Sequence, residues 1–165
     1  MAKAGLKWLS HAGFIITSPQ GKTIIIDPWI EGNPLCPIKL DDIKAADIVL
    51  VTHDHFDHVA NAADIVKKTG AILVAAPETA GRFQAELGVT AENVIYGGMG
   101  INIGGSAEIK GITITATQAF HSTATASCMG YIIKLGAASA IFLSADESAN
   151  VVGNNAHLLL EIDES

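Results

Sequence analysis

Two runs of branched aliphatic residues constrain the fold of this chain most strongly. Residues 23–26 read Thr-Ile-Ile-Ile and residues 48–51 read Ile-Val-Leu-Val, without the polar alternation of a half-exposed strand. Strands of this kind are buried on both faces, as in sheets that are covered by helices. The first run ends at Asp27-Pro28, where proline cannot continue the hydrogen-bond ladder. Both runs therefore predict strands inside a covered sheet.

A helical period follows the second run. Val59, Ala62, Ala63 and Val66 recur at the spacing of one helix face, and Gly70 closes the predicted helix. A further strand is predicted over residues 71–75, and a second helix runs from residue 77 to residue 88. This strand–helix–strand–helix order predicts a partly parallel sheet with right-handed crossovers.

The remaining segments are typical of strands. Those before the first helix cover residues 5–10, 13–17, 22–27 and 47–52, and those after the second helix cover residues 93–96, 107–109, 112–117, 131–135 and 140–143. A hairpin turn at residues 136–138 is predicted between the last two. The fold class is therefore α/β (α+β), in a single domain over residues 1–165.

Composition narrows the possible partners. The 165 residues are 49% hydrophobic and only 16% charged, which suits a well-buried core rather than a disordered chain. The formal net charge of −7 disfavours a nucleic-acid partner, because a phosphate backbone attracts basic surfaces. Two cysteines are too few for a disulfide scaffold, and no segment is typical of a signal peptide or a membrane span. We therefore expect a soluble cytoplasmic protein that binds a small molecule and no membrane.

Residues with metal-binding side chains follow the second buried run directly. The segment at residues 53–58 reads His-Asp-His-Phe-Asp-His and lies where open α/β sheets place their ligands. His53 and His55 are two residues apart, so both rings project to one side of an extended segment. Asp57 and His58 lie where the helix begins and point in different directions. They fit either a second ligand set or one broad dinuclear site.

Imidazole and carboxylate groups suit Zn²⁺ and its first-row neighbours. A catalytic metal keeps a position open for water and lowers the pKa of that water to about 7. No cysteine lies near the cluster, which argues against a purely structural zinc site. We expect one or two divalent transition metal ions, Zn²⁺ first, with Mn²⁺, Fe²⁺ and Ni²⁺ left open because these donor atoms do not separate them.

The spacing His-x-His-x-Asp-His resembles the signature of the metallo-β-lactamase superfamily. Segments at residues 8–14, 26–28, 32–34, 102–106 and 119–122 resemble a small branch of uncharacterised metal-dependent hydrolases that is similar to the ascorbate-phosphate lactonases. The resemblance extends to about Asp146. It implies the αββα sandwich of that superfamily, truncated in its second half.

The resemblance also implies roles for individual residues. His53, His55 and His121 would bind a first metal, and Asp57 and His58 would bind a second. Asp146 matches the carboxylate that bridges both metals, although Ala145 stands where the family usually has glycine. Asp57 or Asp146 would also handle the proton in catalysis. His157, the one later histidine, lies in a segment typical of a core strand and is not expected to be a ligand.

Two further polar residues lie at strand ends that face the same edge. His11 would contact substrate or orient a ligand. Asp27 would accept the second ring N–H of a ligating histidine, which metal sites generally require. Hydrogen bonding within a turn explains either residue nearly as well.

These features predict a metal-dependent hydrolase that uses a metal-bound hydroxide on an ester, lactone or phosphoester. The alternative is a non-catalytic, metal-binding or oligomeric relic of such a hydrolase, because the last metal-binding histidine of the family has no clear counterpart. The missing layer would expose apolar sheet surface, which predicts a homo-oligomer.

Overall fold

The computed structural model describes residues 3–136 and the backbone of residues 139–145 and 156–162. This part of the chain forms two five-stranded sheets. The first sheet contains, in spatial order, β1 (Gly5–Trp8), β2 (Phe14–Thr17), β3 (Thr23–Ile26), β4 (Ile48–Leu50) and β5 (Ile72–Val74). The second contains, also in spatial order, β10 (Ala156–Ile162), β9 (Ser139–Ala145), β8 (Met129–Lys134), β7 (Ile112–Gln118) and β6 (Ser106–Ile109).

Strand pairing in the first sheet is mixed, as the sequence predicts. β1, β2 and β3 pair antiparallel, whereas β3, β4 and β5 pair parallel. The central isoleucines of β3 and all of β4 are fully or almost fully buried, which confirms that both aliphatic runs are covered on two faces. Parallel pairing brings the carboxyl ends of β3, β4 and β5 to one edge of the sheet.

Helices follow β4 and β5. The period from Val59 to Val66 predicts one helix, but the chain forms α1 (Phe56–Val59) and α2 (Ala62–Thr69). The break falls at Asn61, whose side-chain oxygen accepts hydrogen bonds from the backbone N–H groups of Ile30 and Glu31 at 2.9 Å each. That tertiary contact is invisible to helix periodicity. α3 (Pro77–Leu87) begins and ends as predicted, with Gly88 in the left-handed region at φ 70°.

The strand predicted over residues 93–96 is wrong. The chain instead forms two short 3₁₀ turns, Ala91–Asn93 and Ile95–Gly98, and pairs with β5 through an isolated β-bridge between Leu73 and Val94. Tyr96 at φ 55° and Gly97 at φ 64° lie in the left-handed region, which no strand can accommodate. The other predicted strands are confirmed to within about two residues.

The two sheets share one hydrophobic core. Buried side chains from the first sheet, α2, α3, β7 and β8 belong to a single continuous cluster. Tyr131 of β8 is fully buried, and its hydroxyl donates to the carbonyl oxygens of Val51 at 2.7 Å and Val74 at 3.2 Å. Because β3, β4 and most of β5 are buried on both faces, the second sheet and the helices cover this part of the first sheet from opposite sides. Across the described residues, none of the helices combines the length and apolar character that a membrane span needs.

Candidate metal centre

Three segments converge at the carboxyl edge of the first sheet. Residues 53–58 leave the end of β4, and α1 places Asp57 and His58 in its first turn. His11 lies in the turn between β1 and β2, and His121 lies in the segment at residues 119–128 that connects β7 to β8. We call that connecting segment the His121 loop. The first sheet therefore supplies two of the segments and the second sheet supplies the third.

The histidine group consists of His53, His55 and His121. Each offers one ring nitrogen, and these atoms lie within 4.8 Å of one another. His53 Nε2 and His55 Nδ1 face each other at 3.0 Å. His121 Nδ1 lies 2.6 Å from the carbonyl oxygen of Ser122, which can only accept a hydrogen bond. Nδ1 of His121 therefore carries the proton, and its Nε2 keeps a lone pair.

The mixed group consists of His11, Asp57 and His58. Its three ligand atoms also lie within 4.8 Å of one another. His11 Nε2 is 3.3 Å from Asp57 Oδ2, and the rings of His11 and His58 have centroids 5.1 Å apart. The turn that carries His11 is held by its left-handed backbone at φ 52° and by Trp8, whose indole N–H donates to the His11 carbonyl oxygen at 2.9 Å. The sequence interpretation gave His11 a substrate or orienting role, whereas its position equally suits a ligand.

Asp27 lies beneath both groups and is almost fully buried. Its Oδ2 accepts from His58 Nδ1 at 2.8 Å and from the Thr52 hydroxyl at 2.6 Å, and its Oδ1 accepts from the Thr52 backbone N–H at 2.8 Å. Because the Thr52 hydroxyl donates its hydrogen to Asp27, its oxygen accepts a hydrogen bond from His53 Nδ1 at 3.0 Å. His53 keeps a lone pair on Nε2 as a result, and so does His58 in its neutral form.

The electrostatic environment favours a neutral His53. Burial is the largest cause, and together with the nearby His58, His121 and His55 it lowers the pKa of His53 to about 3, against an opposing effect of Asp27. For His58, burial lowers the pKa, but the charge and hydrogen bond of Asp27 and the charge of Asp57 outweigh it and raise the pKa overall. The neutral ring of His53 has the lone pair that a metal ion requires, whereas a protonated His58 would release a proton when a metal ion binds.

Seven of the eight predicted site residues lie together in the described part of the chain. They are His11, Asp27, His53, His55, Asp57, His58 and His121. Asp146, predicted as the bridging carboxylate and possible proton carrier, lies outside the described residues. The backbone of His157 lies in β10 opposite Ser144, as expected for a strand residue.

Sequence reasoning missed two polar residues beside the ligands. Thr52 relays the hydrogen bond from Asp27 to His53. Asp54 stands between two candidate ligands but belongs to neither group and instead contacts the His121 loop. Burial raises its pKa, but hydrogen bonds from Thr125 and Ala124 outweigh burial and lower it overall. The only signal in the sequence was a polar residue adjoining the first histidine on either side.

Donor chemistry and spacing fit divalent transition metals. The histidine group offers three imidazole nitrogens, and the mixed group offers two imidazole nitrogens and a carboxylate oxygen. Two face-to-face sheets with imidazole and carboxylate ligands gathered at one sheet edge define the class of metallo-β-lactamase-like folds. Residues 22–149 match the model of the Beta-lactamase superfamily domain, and the chain belongs to that superfamily. The family resemblance seen in the sequence is thereby confirmed.

Similar proteins support this assignment. A protein named UPF0173 metal-dependent hydrolase from Nitratidesulfovibrio vulgaris (strain DP4) is 42% identical over 130 residues, which are 79% of this chain and 53% of that protein. A protein of the same name from Caldivirga maquilingensis is 42% identical over 78% of this chain and 54% of its own length. The chain thus spans about half the length of the curated relatives that it matches.

Solved structures give the same fold. The metallo hydrolase Igni18 from the hyperthermophilic archaeon Ignicoccus hospitalis aligns with a TM-score of 0.69 and 32% identity, over 84% of this chain and 59% of that one. The class B3 di-zinc metallo-β-lactamase LRA-12 from an Alaskan soil metagenome aligns with a TM-score of 0.53 and 19% identity, over 97% of this chain and 60% of that one. The second likeness is one of fold alone.

Proposed function

We propose that this chain belongs to a metal-dependent hydrolase that acts on an ester, lactone or phosphoester. One observation carries the proposal: the histidine group and the mixed group lie side by side, joined beneath by the Asp27 carboxylate. The names of the relatives, metal-dependent hydrolase and metallo hydrolase, are consistent with it.

The histidine group would hold one metal ion and the mixed group a second, with Zn²⁺ the first choice and Mn²⁺, Fe²⁺ or Ni²⁺ as alternatives. When bound, such an ion supplies Lewis acidity that activates water and polarises the carbonyl or phosphoryl oxygen of the substrate.

The chain's own residues would position the ligands and move the proton. Asp27 accepts a hydrogen bond from His58 Nδ1 directly and orients Nδ1 of His53 through Thr52, so the Nε2 atoms of both rings face away from the carboxylate. Asp57 is partly exposed and lies at the mixed group, where its carboxylate would accept the proton of the attacking water. We assign the same capacity to Asp146 on the family resemblance.

The partner we propose is a small molecule rather than a nucleic acid, because a net charge of −7 repels phosphate backbones. A cytoplasmic location agrees with the scarcity of cysteine.

A homo-oligomer stays a prediction, and sedimentation equilibrium tests it: a clean monomer would contradict it.

Removing one ligand tests the proposed function. His55→Ala should abolish metal binding at the histidine group and hydrolysis of an ester, lactone and phosphodiester panel, because two ligands seldom hold a catalytic metal. His157→Ala is the matched control and should keep both properties, since that residue lies in β10. The measurements are metal content by mass spectrometry and turnover with and without a chelator.

The outcomes separate the two candidate functions. Wild-type protein that holds no transition metal, or whose turnover ignores chelators, would contradict the hydrolase proposal. Metal bound at one or no site per chain without turnover on the panel would favour the non-catalytic alternative.

A further inference from the structure

Asp54 occupies an unusual position for a buried acid. It lies between His53 and His55, yet its carboxylate belongs to neither ligand group. Its side chain is only 1% exposed. A buried carboxylate needs hydrogen-bond donors to offset its lost hydration. Identifying its donors therefore identifies what Asp54 holds in place.

Three of the donors to Asp54 come from the His121 loop. Asp54 Oδ1 accepts from the backbone N–H of Ala124 at 2.8 Å and of Thr125 at 3.2 Å. Asp54 Oδ2 accepts from the Thr125 hydroxyl. Further hydrogen bonds come from Arg82 of α3, whose Nη1 lies 3.4 Å from Oδ2, and from the backbone of Asp54 itself. Each oxygen thus faces the segment that carries His121, seventy or seventy-one residues away along the chain.

The His121 loop needs such an anchor because it has no regular structure of its own. Residues 119–128 contain neither helix nor strand, and Ala124 and Thr125 are exposed apart from these contacts. The loop comes from the second sheet, whereas the other two histidines of its group follow β4 of the first sheet. A metal ion tolerates errors of only a few tenths of an ångström in ligand distance. The place of His121 must therefore be fixed relative to residues 53–55.

We propose that Asp54 is a positioning residue that sets the place of His121 against His53 and His55 by anchoring Ala124 and Thr125. The assignment rests on the proposed function in so far as the histidine group holds a metal ion. Because Asp54 adjoins both of the other ligands in sequence, the same short segment supplies two ligands and fixes the third. The anchor acts through hydrogen bonds and does not touch the metal.

Asp54→Ala removes every acceptor, whereas Asp54→Asn keeps a carbonyl oxygen that can accept both backbone N–H groups. Thr125→Val removes a single donor at an exposed position and leaves the ligand segment intact. Asp64→Ala is the matched control, because it removes a half-exposed carboxylate on α2 that pairs with Lys67. Two measurements apply to all four variants: Co²⁺ titration followed by the visible absorption of the ion, and amide hydrogen exchange of Ala124 and Thr125 in the metal-free protein.

Loss of a positioning partner typically weakens metal affinity by about 10- to 100-fold. We expect that loss for Asp54→Ala at the histidine group, with an altered Co²⁺ spectrum and unchanged affinity at the mixed group. Exchange of the two amides should accelerate by about tenfold or more. Asp54→Asn should keep most of the Co²⁺ affinity and most of the amide protection. Thr125→Val should lose less of either than Asp54→Ala does, and Asp64→Ala should match the wild type.

Unchanged amide exchange in Asp54→Ala and Thr125→Val would overturn the anchor. Faster amide exchange combined with wild-type Co²⁺ affinity and spectrum would also overturn it, because the loop would then not fix the position of His121. If Asp54→Asn and Thr125→Val lost Co²⁺ affinity equally at the histidine group and the mixed group, the cause would be general destabilisation. That result would overturn the anchoring role as well. If the wild type binds no Co²⁺, the proposed function fails, while the exchange rates of Ala124 and Thr125 still decide whether Asp54 holds the loop.

Discussion

At the residue scale, the hydrogen bonds around Asp27 decide which ring nitrogens are available to a metal ion. One carboxylate oxygen accepts hydrogen bonds from both His58 Nδ1 and the Thr52 hydroxyl. The Thr52 oxygen in turn accepts a hydrogen bond from His53 Nδ1, which fixes the orientation of that ring. The backbone of Asp27 lies in the left-handed region at φ 42°, which aspartate and asparagine tolerate better than most residues. A single buried acid therefore orients ligands in both groups.

Asp27→Asn tests this arrangement without changing size or backbone preference. The new amide nitrogen would face two donors, the Thr52 hydroxyl and His58 Nδ1, so His58 would have to place its proton on Nε2 and lose the lone pair that faces the mixed group. We expect Zn²⁺ affinity at the mixed group to fall by about 10- to 100-fold in isothermal titration. The exposed Asp42→Asn is the control and should bind as the wild type does. Equal Zn²⁺ affinity in Asp27→Asn and wild type would contradict the orienting role.

The sequence predicts the parts of the site that lie close together along the chain. His53, His55, Asp57 and His58 share one short segment after a buried strand, so their proximity needs no tertiary knowledge. His121 was assigned by family resemblance, because 62 residues, which include α2, α3 and the strands β5, β6 and β7, separate it from His58 in the chain. The roles of Thr52 and Asp54 depend on contacts between segments and could not be deduced from spacing.

At the element scale, buried strands were predictable and irregular connections were not. β3 and β4 are covered on both faces, so their composition alone identifies them. The break between α1 and α2 is different, because the side-chain oxygen of Asn61 accepts hydrogen bonds from the chain after β3 instead of capping α2. Its backbone N–H also donates to the Pro28 carbonyl oxygen at 3.0 Å. Tertiary hydrogen bonds thus override helix periodicity at this point.

Asn61→Ala should be strongly destabilising for so conservative a change. It leaves the N–H groups of Ile30 and Glu31 without their acceptor, and Ile30 is buried. We expect the free energy of unfolding to fall by about 2 kcal/mol. Asn102→Ala, at an exposed position, should change it little. Urea unfolding measures the free energy of unfolding of both variants. If it falls no further in Asn61→Ala than in Asn102→Ala, the break between α1 and α2 has another cause.

At the scale of the whole molecule, polar contacts supplement the hydrophobic core that joins the two sheets. Asp47, just before β4, accepts hydrogen bonds from the Thr23 backbone N–H at 3.0 Å and from Lys110 Nζ at 3.0 Å, and Lys110 lies in the turn between β6 and β7. Tyr131 makes the second contact from inside the core. The first contact is charged and partly exposed, whereas the second is neutral and buried, so they should respond differently to pH.

The Asp47 contact should weaken in acid. Burial raises the pKa of Asp47, but hydrogen bonds from Thr23 and Lys110 and the charges of Lys110 and Lys22 outweigh it and hold the pKa below 3.8. A carboxyl whose pKa is depressed in the folded state stabilises fully above its unfolded value and loses that effect as the pH falls through the folded value. Asp47→Asn should therefore lower the free energy of unfolding by about 1 kcal/mol at pH 7. The difference should shrink as the pH falls below 3.8 and vanish once the pH lies below the depressed pKa of the folded state.

Urea unfolding of Asp47→Asn and wild type across that range measures the effect. Asp41→Asn is the control, because its 96% exposed side chain pairs only loosely with Lys68 at 3.5 Å. A difference between Asp47→Asn and wild type that persists in acid would mean that the carboxylate charge is not the cause.

The buried contact should be insensitive to pH and larger in energy. Tyr131→Phe removes the hydroxyl that donates to Val51 and Val74 and leaves the Val51 carbonyl oxygen without this donor inside the core. Loss of a hydrogen bond that leaves a buried acceptor unsatisfied costs about 1–3 kcal/mol. Tyr96→Phe is a matched control, since its hydroxyl donates to the Ser106 carbonyl oxygen at 2.7 Å but the residue is 49% exposed. Water can replace that bond, so Tyr96→Phe should cost much less. Urea unfolding at pH 7 compares the two variants. Equal decreases in the free energy of unfolding would show that the buried Tyr131 hydroxyl stabilises the contact between the sheets no more than the exposed Tyr96 hydroxyl stabilises its own contact.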